Sequence, residues 1–350
     1  MRRIGIVGGG PAGLLAARLL GDGCTVYEAS RRPGHPPHCT GLVSPSTAER
    51  IGVGEAVDAV YERSVFLDDE LRVLGYAEGR PLAVRLSRPL LEELLASEAE
   101  AAGARILLGH RVEDARPDGR LRVRGLGVVR HEWVVLADGA AAPVSAGLLR
   151  GRARCRADGL VGVEVRVVVE RRLPSDEFYT IHGYRYAPEF FAWIVPVNGG
   201  REALIGLASR KPLKGLRELV RRVDRLVGVA GRLGLRSGIV LRGPPVPSPV
   251  AGRCIAVGDA ACTSKPFTGG GLYAVSLLAP RLAEALVGGR GVEGYVEAYR
   301  ALREELLLQR SLASMARVFK PVLHALQAVM AAGGCRVDYD RHSTALRCLL

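Results

Sequence analysis

The chain has 350 residues, long enough for about two domains with substantial cores, and its 48% hydrophobic and 24% charged composition is that of an ordinary soluble globular protein. Forty-nine basic against 36 acidic residues give a net charge of +13, which suits anionic lipid surfaces, nucleic acid or acidic substrates as partners and equally a solvated basic surface. No RNA-binding signature, zinc-finger spacing or basic run interleaved with aromatics is present, so no nucleic-acid partner is expected. The seven cysteines (Cys24, Cys39, Cys155, Cys254, Cys262, Cys335 and Cys348) contain no C-x-x-C pair, which argues against structural zinc, an iron–sulfur site or a secreted disulfide scaffold. Cys335 and Cys348, close together near the C-terminus, are candidates for a pair of the kind found in some thermophile cytosolic proteins. Met1, Arg2 and Arg3 run straight into a strand, and no apolar run is long enough to span a bilayer, so a cytoplasmic protein is expected.

Residues 4–28 carry the strongest pattern. A buried-strand run, Ile4-Gly5-Ile6-Val7, meets Gly8-x-Gly10-x-x-Gly13, with Pro11 and Ala12 inside the turn, and then a helix-forming run from Leu14 to Leu20. Gly8 permits the tight turn, Gly10 lets backbone approach a pyrophosphate, and Gly13 lets helix pack on strand. The first helical turn offers free N–H groups to a diphosphate. A second strand, Cys24 to Tyr27, ends in Glu28, twenty positions after Gly8, where a carboxylate can accept hydrogen bonds from a ribose. The pattern fixes a dinucleotide without choosing between FAD and NAD.

The Pro- and Gly-rich stretch Arg31 to Gly41 reads as a functional loop; it contains His38, Cys39, Thr40 and Gly41. Cys39 is the candidate to lie against a flavin ring and donate a proton, with a buried or incidental cysteine as the alternative. Residues 64–86 alternate like strands of a mixed sheet. Ser87 is placed to cap the next helix, and Arg88 on its opening turn can reach cofactor phosphate or ring oxygens, or be an ordinary surface arginine. Trp133 to Ala137 form a buried strand breaking at Asp138-Gly139. From about 158 to 210 successive strands bounded by turn residues indicate an antiparallel sheet, followed by a helix over about 213–227 and a stiff Pro-rich linker, Gly243 to Pro249. The return segment, Cys254 to Val257, is again strand, with Gly258 and Asp259 at its end and Gly269-Gly270-Gly271 opening a helix. Asp259 there suits the hydroxyls of a ribityl chain, and the glycines free backbone N–H groups for a phosphate or flavin carbonyl. Beyond Tyr295 the chain is helical to about Ala332, with a break at Pro321. Arg310, Arg317, Lys320 and His324 share one side; Leu308, Leu312, Met315, Phe319, Leu323 and Leu326 share the other. Such a helix packs on its own domain or lies on a membrane surface.

The predicted architecture is α/β: a Rossmann-type dinucleotide domain (1–155 and 246–290), an inserted antiparallel substrate domain (156–245) and a helical C-terminal region (291–350). Gly8 to Gly13 with Glu28, Asp138-Gly139, and Gly258-Asp259 with the triple glycine together resemble the FAD-dependent oxidoreductases related to p-hydroxybenzoate hydroxylase. The His38 to Gly41 loop and the string Phe191-Ala192-Trp193-Ile194-Val195-Pro196 look most like geranylgeranyl reductases, over about residues 1–290. In that family a Tyr-x-Trp-x-Phe-Pro motif lines the isoprenoid cavity; Phe191 and Val195 depart from it here, so the carry-over is firmest at Trp193 and Pro196. The resemblance implies FAD, reduction of carbon–carbon double bonds in geranylgeranyl chains and an isoprenoid lipid substrate. The positive charge and the amphipathic C-terminal helix suit extraction of that lipid at a membrane surface, and with no second nucleotide fingerprint along the chain the reductant is expected to be NADPH in transient contact or a ferredoxin. A flavin monooxygenase, a halogenase (which usually carries Trp-x-Trp-x-Ile-Pro) and an electron-transfer flavoprotein share the same frame; a plain NAD-binding protein would lack the Gly258 to Gly271 segment.

Overall fold

Strand β1 (Ile4–Val7) is buried along its whole length, as an apolar run without alternation requires of a central parallel strand. The computed structural model describes residues 3–37, 39–288, 291–318, 338–341 and 343–344. After β1 come α1 (Pro11–Leu20), β2 (Cys24–Glu28), β3 (Leu42–Val43), α2 (Pro45–Ile51), β4 (Val57–Leu67), β5 (Val73–Leu86) and α3 (Arg88–Ala101). Then follow β6 (Arg105–Leu108), a three-stranded antiparallel meander of β7 (Val112–Ala115), β8 (Arg120–Val123) and β9 (Gly127–Arg130), β10 (Trp133–Leu136) and α4 (Arg152–Ala157). The second half holds β11 (Leu160–Val169), β12 (Glu177–Ile181), β13 (Ala192–Val197), β14 (Glu202–Ser209), α5 (Pro212–Val227) and β15 (Val229–Val240). It closes with β16 (Val250–Ala251), β17 (Cys254–Ala256), α6 (Leu272–Val287) and α7 (Glu293–Val318).

The first layer is a six-stranded sheet in the order β16-β17-β10-β1-β2-β6, parallel apart from the short β16. Its ordering brings the ends of β1, β10 and β17 side by side although they lie far apart in sequence, which is what assembles the site. Helices α1, α3 and α6 pack together through Leu14, Leu15, Leu91, Leu95, Leu272 and Val275. Two buried tyrosines of α7 clamp the returning chain: Tyr295 donates to the carbonyl of Ala256 (2.5 Å) and Tyr299 to that of Val246 (2.7 Å).

The second layer is an eight-stranded sheet in the order β15-β11-β14-β13-β12-β4-β5-β3. It differs from a single insertion at 156–245, because β3, β4 and β5 join it through a parallel pairing of β4 with β12 (Val65 opposite Tyr179). The alternation in residues 64–86 marks strands but cannot name partners more than a hundred residues away. One face buries Val163, Val165, Val167, Ile194, Ile205 and Leu207 under the apolar stripe of α5, Leu216, Leu219, Val220 and Val223. The period of two turns Glu164, Gly206, Trp193 and Thr180 to the opposite face.

Several local expectations change. Ser87 is the N-cap of α3 but its side chain makes no capping bond, whereas Ser44 caps α2 by accepting from the Thr47 N–H (3.0 Å). Arg310 points inward, donating to Asp158 (2.5 Å) and to the carbonyls of Arg242 and Gly243 (3.2 Å each), so it ties α7 to the Pro-rich linker and offers nothing to a membrane. Leu308 and Met315 do face outward, 42% and 64% exposed. The side chains of Arg317, Phe319, Lys320, Leu323, His324 and Leu326, the break at Pro321 and the pair Cys335 and Cys348 lie outside the described part. Among the described residues a disulfide joins Cys155 on α4 to Cys262 beyond β17.

Candidate active site

The glycine fingerprint folds as its spacing predicts. Gly8 has φ +100°, and a Cβ there would lie 2.4 Å from the carbonyl oxygen of Ala137, so the ends of β1 and β10 meet only because this residue has no side chain. A Cβ on Gly13 would lie 2.0 Å from the Gly8 carbonyl oxygen, which is the close helix-to-turn contact the motif requires. Gly10 is the N-cap of α1 with Pro11 beginning the helix, and apart from its two chain neighbours no residue comes within 4 Å of where its Cβ would be. The space before the unpaired N–H groups is therefore open. Glu28 is anchored across the mouth of the turn: its two oxygens accept from the N–H groups of Gly9 and Ser30 at 2.6 Å each.

The other two segments close on this cradle. Asp138, at the tip of β10, accepts from the N–H groups of Val144 (2.8 Å) and Ser145 (2.9 Å) through one oxygen, while the other is buried without a partner. Gly258 has φ +66°, and a Cβ there would sit 3.0 Å from Ala12 Cβ, so the segment after β17 packs directly on the fingerprint helix. Asp259 accepts from Ser264 Oγ (2.5 Å). Gly269 to Gly271 permit close packing: their missing Cβ atoms would lie 2.5 Å from Val240, 3.2 Å from Lys265 and 3.0 Å from Asp259 Oδ1.

Sequence reasoning missed two features here. Arg152 on α4 is fully buried, donates to the carbonyls of Gly139 (3.3 Å) and Ala140 (2.6 Å), and leaves Nε and Nη1 without partners. Burial lowers its pKa, opposed by the charges of the Asp138 and Asp259 carboxylates. Lys265, also buried, pairs with Asp340 Oδ1 at 2.8 Å, and Asp340 accepts further bonds from Ser44 and Thr47, so residues from the far C-terminal part brace the glycine loop. Burial lowers the Lys265 pKa against the pull of Asp340. Burial would raise that of Asp340, but the Lys265 ammonium and the hydroxyl donors hold it below the usual carboxylate range.

The Cys39 loop and the Trp193 strand meet at a third feature absent from the sequence reading, Glu164. Cys39 is exposed, whereas the other free cysteines among the described residues, Cys24 and Cys254, are buried with pKa values pushed up to about 11 by desolvation. Thr40, next to Cys39, donates from Oγ1 to Glu164 Oε2 (2.5 Å), and Trp193 Nε1 donates to the same oxygen (2.9 Å). Arg85 Nε bonds the Thr40 carbonyl (3.0 Å) and the Leu86 N–H bonds that of Gly41 (2.9 Å), fixing the loop to the end of β5. Arg88 is buried in contact with Cys39 and Glu92. Desolvation works against its charge, but the sulfur and the carboxylate outweigh it and raise its pKa. His38 lies outside the described residues.

An aromatic wall continues from Trp193. Its ring meets Phe191 edge-on at 5.8 Å; Phe191 stacks on Phe190 (4.4 Å) and on His182 (5.7 Å). Pro196 is not brought to this wall: three positions along a strand place it on the opposite face from Trp193, and its carbonyl accepts from Tyr61 (2.6 Å). Phe190 and Val240 flank Gly269, so the wall abuts the cofactor-side glycine loop.

Known proteins share the fold. Among solved structures, a geranylgeranyl bacteriochlorophyll reductase-like protein of Thermoplasma acidophilum superposes with a TM-score of 0.86 at 17% identity, covering 99% of this chain and 95% of that one. The flavin-dependent brominase Bmp2 gives 0.71 at 15% identity, covering 99% and 97%. The fold is that of the FAD-dependent oxidoreductases. The digeranylgeranylglycerophospholipid reductase of Methanosphaerula palustris is 30% identical over 295 residues, 77% of this chain and 72% of that protein. The chain belongs to the digeranylgeranylglycerophospholipid reductase family, and it is a reductase. No family model matches it. No helix among the described residues is long and apolar enough to cross a membrane.

Proposed function

We propose that the protein reduces carbon–carbon double bonds in the geranylgeranyl chains of an ether-type glycerophospholipid, with FAD as its bound cofactor. The observation that carries the reading is the junction at Gly269, where a dinucleotide-type turn abuts an aromatic wall that a shared carboxylate ties to Thr40, the neighbour of the exposed thiol of Cys39. Gly8, Gly10, Pro11, Ala12 and Gly13 hold the diphosphate, Glu28 the ribose, and Asp138, Gly258, Asp259 and Gly269 to Gly271 the flavin half. The open space before Gly10 and the unpartnered oxygen of Asp138 fit a polar ligand seated there.

A reduced flavin bound in this cradle would supply a hydride to one alkene carbon. Cys39 Sγ gives a proton to the other, so the alkene gains two hydrogens, and Arg88 stands beside the sulfur to balance the charge that the proton leaves. Phe191 and Trp193 offer flat apolar faces to a prenyl chain and keep water from it. Electrons come from NADPH in transient contact or from a ferredoxin. The exposed Leu308 and Met315 and the net charge of +13 support peripheral contact with an anionic lipid surface. The test is anaerobic: protein bleached with dithionite regains its yellow absorbance on addition of a geranylgeranyl glycerophospholipid, and Cys39→Ser slows that return. Absorbance that returns only with oxygen, yielding a hydroxylated or halogenated product, would replace this reading with a monooxygenase or halogenase.

A further inference from the structure

The least economical group in the substrate layer is Glu164. It is a carboxylate, 5% exposed, in the middle of the valine-rich strand β11, with one oxygen buried and unbonded and its nearest cation, Arg236 Nη1, 4.0 Å away. Ionised groups are costly to desolvate, and the two bonds on its other oxygen come from neutral donors that the carbonyl oxygen of a glutamine could also accept, though less strongly. The sheet is nonetheless built around it. In register, Arg236, Glu164, Gly206, Trp193 and Thr180 form one row across β15, β11, β14, β13 and β12. One strand, β14, separates Trp193 from Glu164, two inter-strand spacings or roughly 10 Å of sheet, and any side chain at 206 would stand between them. A Cβ at Gly206 would lie 2.4 Å from Trp193 Cε2 and 2.6 Å from Nε1, so the indole lies flat across the glycine and reaches the carboxylate only because of it.

We infer that Glu164 is a positioning residue that couples the Cys39 loop to the Trp193 wall. Through one oxygen it fixes the distance between thiol and indole, and Gly206 is the vacancy that makes the coupling possible. Charge explains the choice of a carboxylate over an amide, because bonds to an ionised acceptor are shorter and stronger. Its catalytic consequence, that a prenyl alkene is held in one register between the proton donor and the wall, rests on the alkene-reductase reading; the coupling itself does not.

The deciding arms of the test therefore read the coupling without substrate and without changing Glu164. The chain has two tryptophans, so Trp133→Phe leaves Trp193 as the sole indole emitter, and Cys39 alkylation by iodoacetamide is followed by mass mapping of its peptide. Thr40→Val, which breaks only the loop's bond, is expected to shift Trp193 emission. Trp193→Phe, which removes the wall's bond while keeping an aromatic ring at the position, is expected to change the Cys39 alkylation rate by about fivefold, the equivalent of one net hydrogen bond. Glu164→Gln should move both readouts less than Glu164→Ala. In turnover, Glu164→Ala should lower kcat with little change in KM for the lipid. If Thr40→Val leaves the emission unchanged and Trp193→Phe leaves the alkylation rate unchanged, Glu164 couples nothing and the inference is overturned, whether or not Glu164→Ala folds. Cross-talk in a protein that fails to reduce geranylgeranyl lipid would sustain the coupling and remove the proposed activity.

Discussion

Replacing Gly10 by alanine separates a ligand site from a structural turn. At φ −79° and ψ −178° the residue is in extended backbone that alanine adopts freely, and apart from its two chain neighbours no residue comes within 4 Å of the new methyl group. The fold therefore loses only the N-cap difference between glycine and alanine, about 1 kcal/mol or less. The methyl group does enter the open space at the N-terminus of α1, where the diphosphate is proposed to sit. Losing two hydrogen bonds to a charged diphosphate, at about 1.5–3 kcal/mol each, removes about 3–6 kcal/mol, or about 10²- to 10⁴-fold in flavin affinity. Gly13→Ala is the contrasting case. Its Cβ would stand 2.0 Å from the Gly8 carbonyl oxygen, where ordinary contact begins at 3.4 Å, so α1 must retreat by about 1.4 Å and stability falls together with affinity. The assay is paired: thermal melting of flavin-free protein, and fluorescence titration with FAD. Gly10→Ala should melt like the parent and bind FAD at least a hundredfold more weakly. A Gly10→Ala protein that binds FAD with the parent's affinity would refute the assignment of that space to the cofactor.

Three further outcomes follow from buried ties. Asp340→Asn keeps shape but strands the Lys265 ammonium without its counter-charge, at a cost of about 3–5 kcal/mol in unfolding free energy, and adding Lys265→Met should restore most of the loss; equal melting of parent and single variant would contradict the pairing. Because the Asp340 pKa is lowered in the folded state, its contribution is complete above the unfolded value of about 3.9 and is lost as pH falls through the folded value; the parent should lose stability in that acid window more steeply than Asp340→Asn in urea titrations. The Cys155–Cys262 disulfide spans a sequence separation of 107, so the double variant to serine should lose about 2–5 kcal/mol of unfolding free energy. Thiols at both positions in unreduced protein, or an unchanged melt, would contradict the bond.

What the sequence made legible was local. The Gly8 to Gly13 turn, the strand before it and the acid after it lie within twenty-five residues, and each glycine has one steric reason to be there. The same chemistry at Gly258 to Gly271 could be read because strand, turn and helix repeat in order. Glu164 left a fainter trace, a lone acid in a run of valines, but its partners Thr40 and Trp193 come from two other segments, and only the register of three strands joins them. Lys265 and Asp340 are 75 residues apart and Cys155 and Cys262 are 107 apart, distances over which composition and periodicity carry no pairing information. Pro196 shows the reverse: simple alternation from Trp193 places it on the far face, while a family motif invited its assignment to the same wall.

The central claim is that this cradle and this wall serve hydrogenation of an isoprenoid alkene. It is tested most directly by incubating dithionite-reduced protein, without oxygen, with a geranylgeranyl glycerophospholipid and weighing the recovered lipid by mass spectrometry. The account predicts a mass rise of one hydrogen pair per alkene reduced, dependent on bound flavin and diminished in Cys39→Ser. Lipid recovered at its starting mass from a protein that has held its reduced flavin throughout would contradict it.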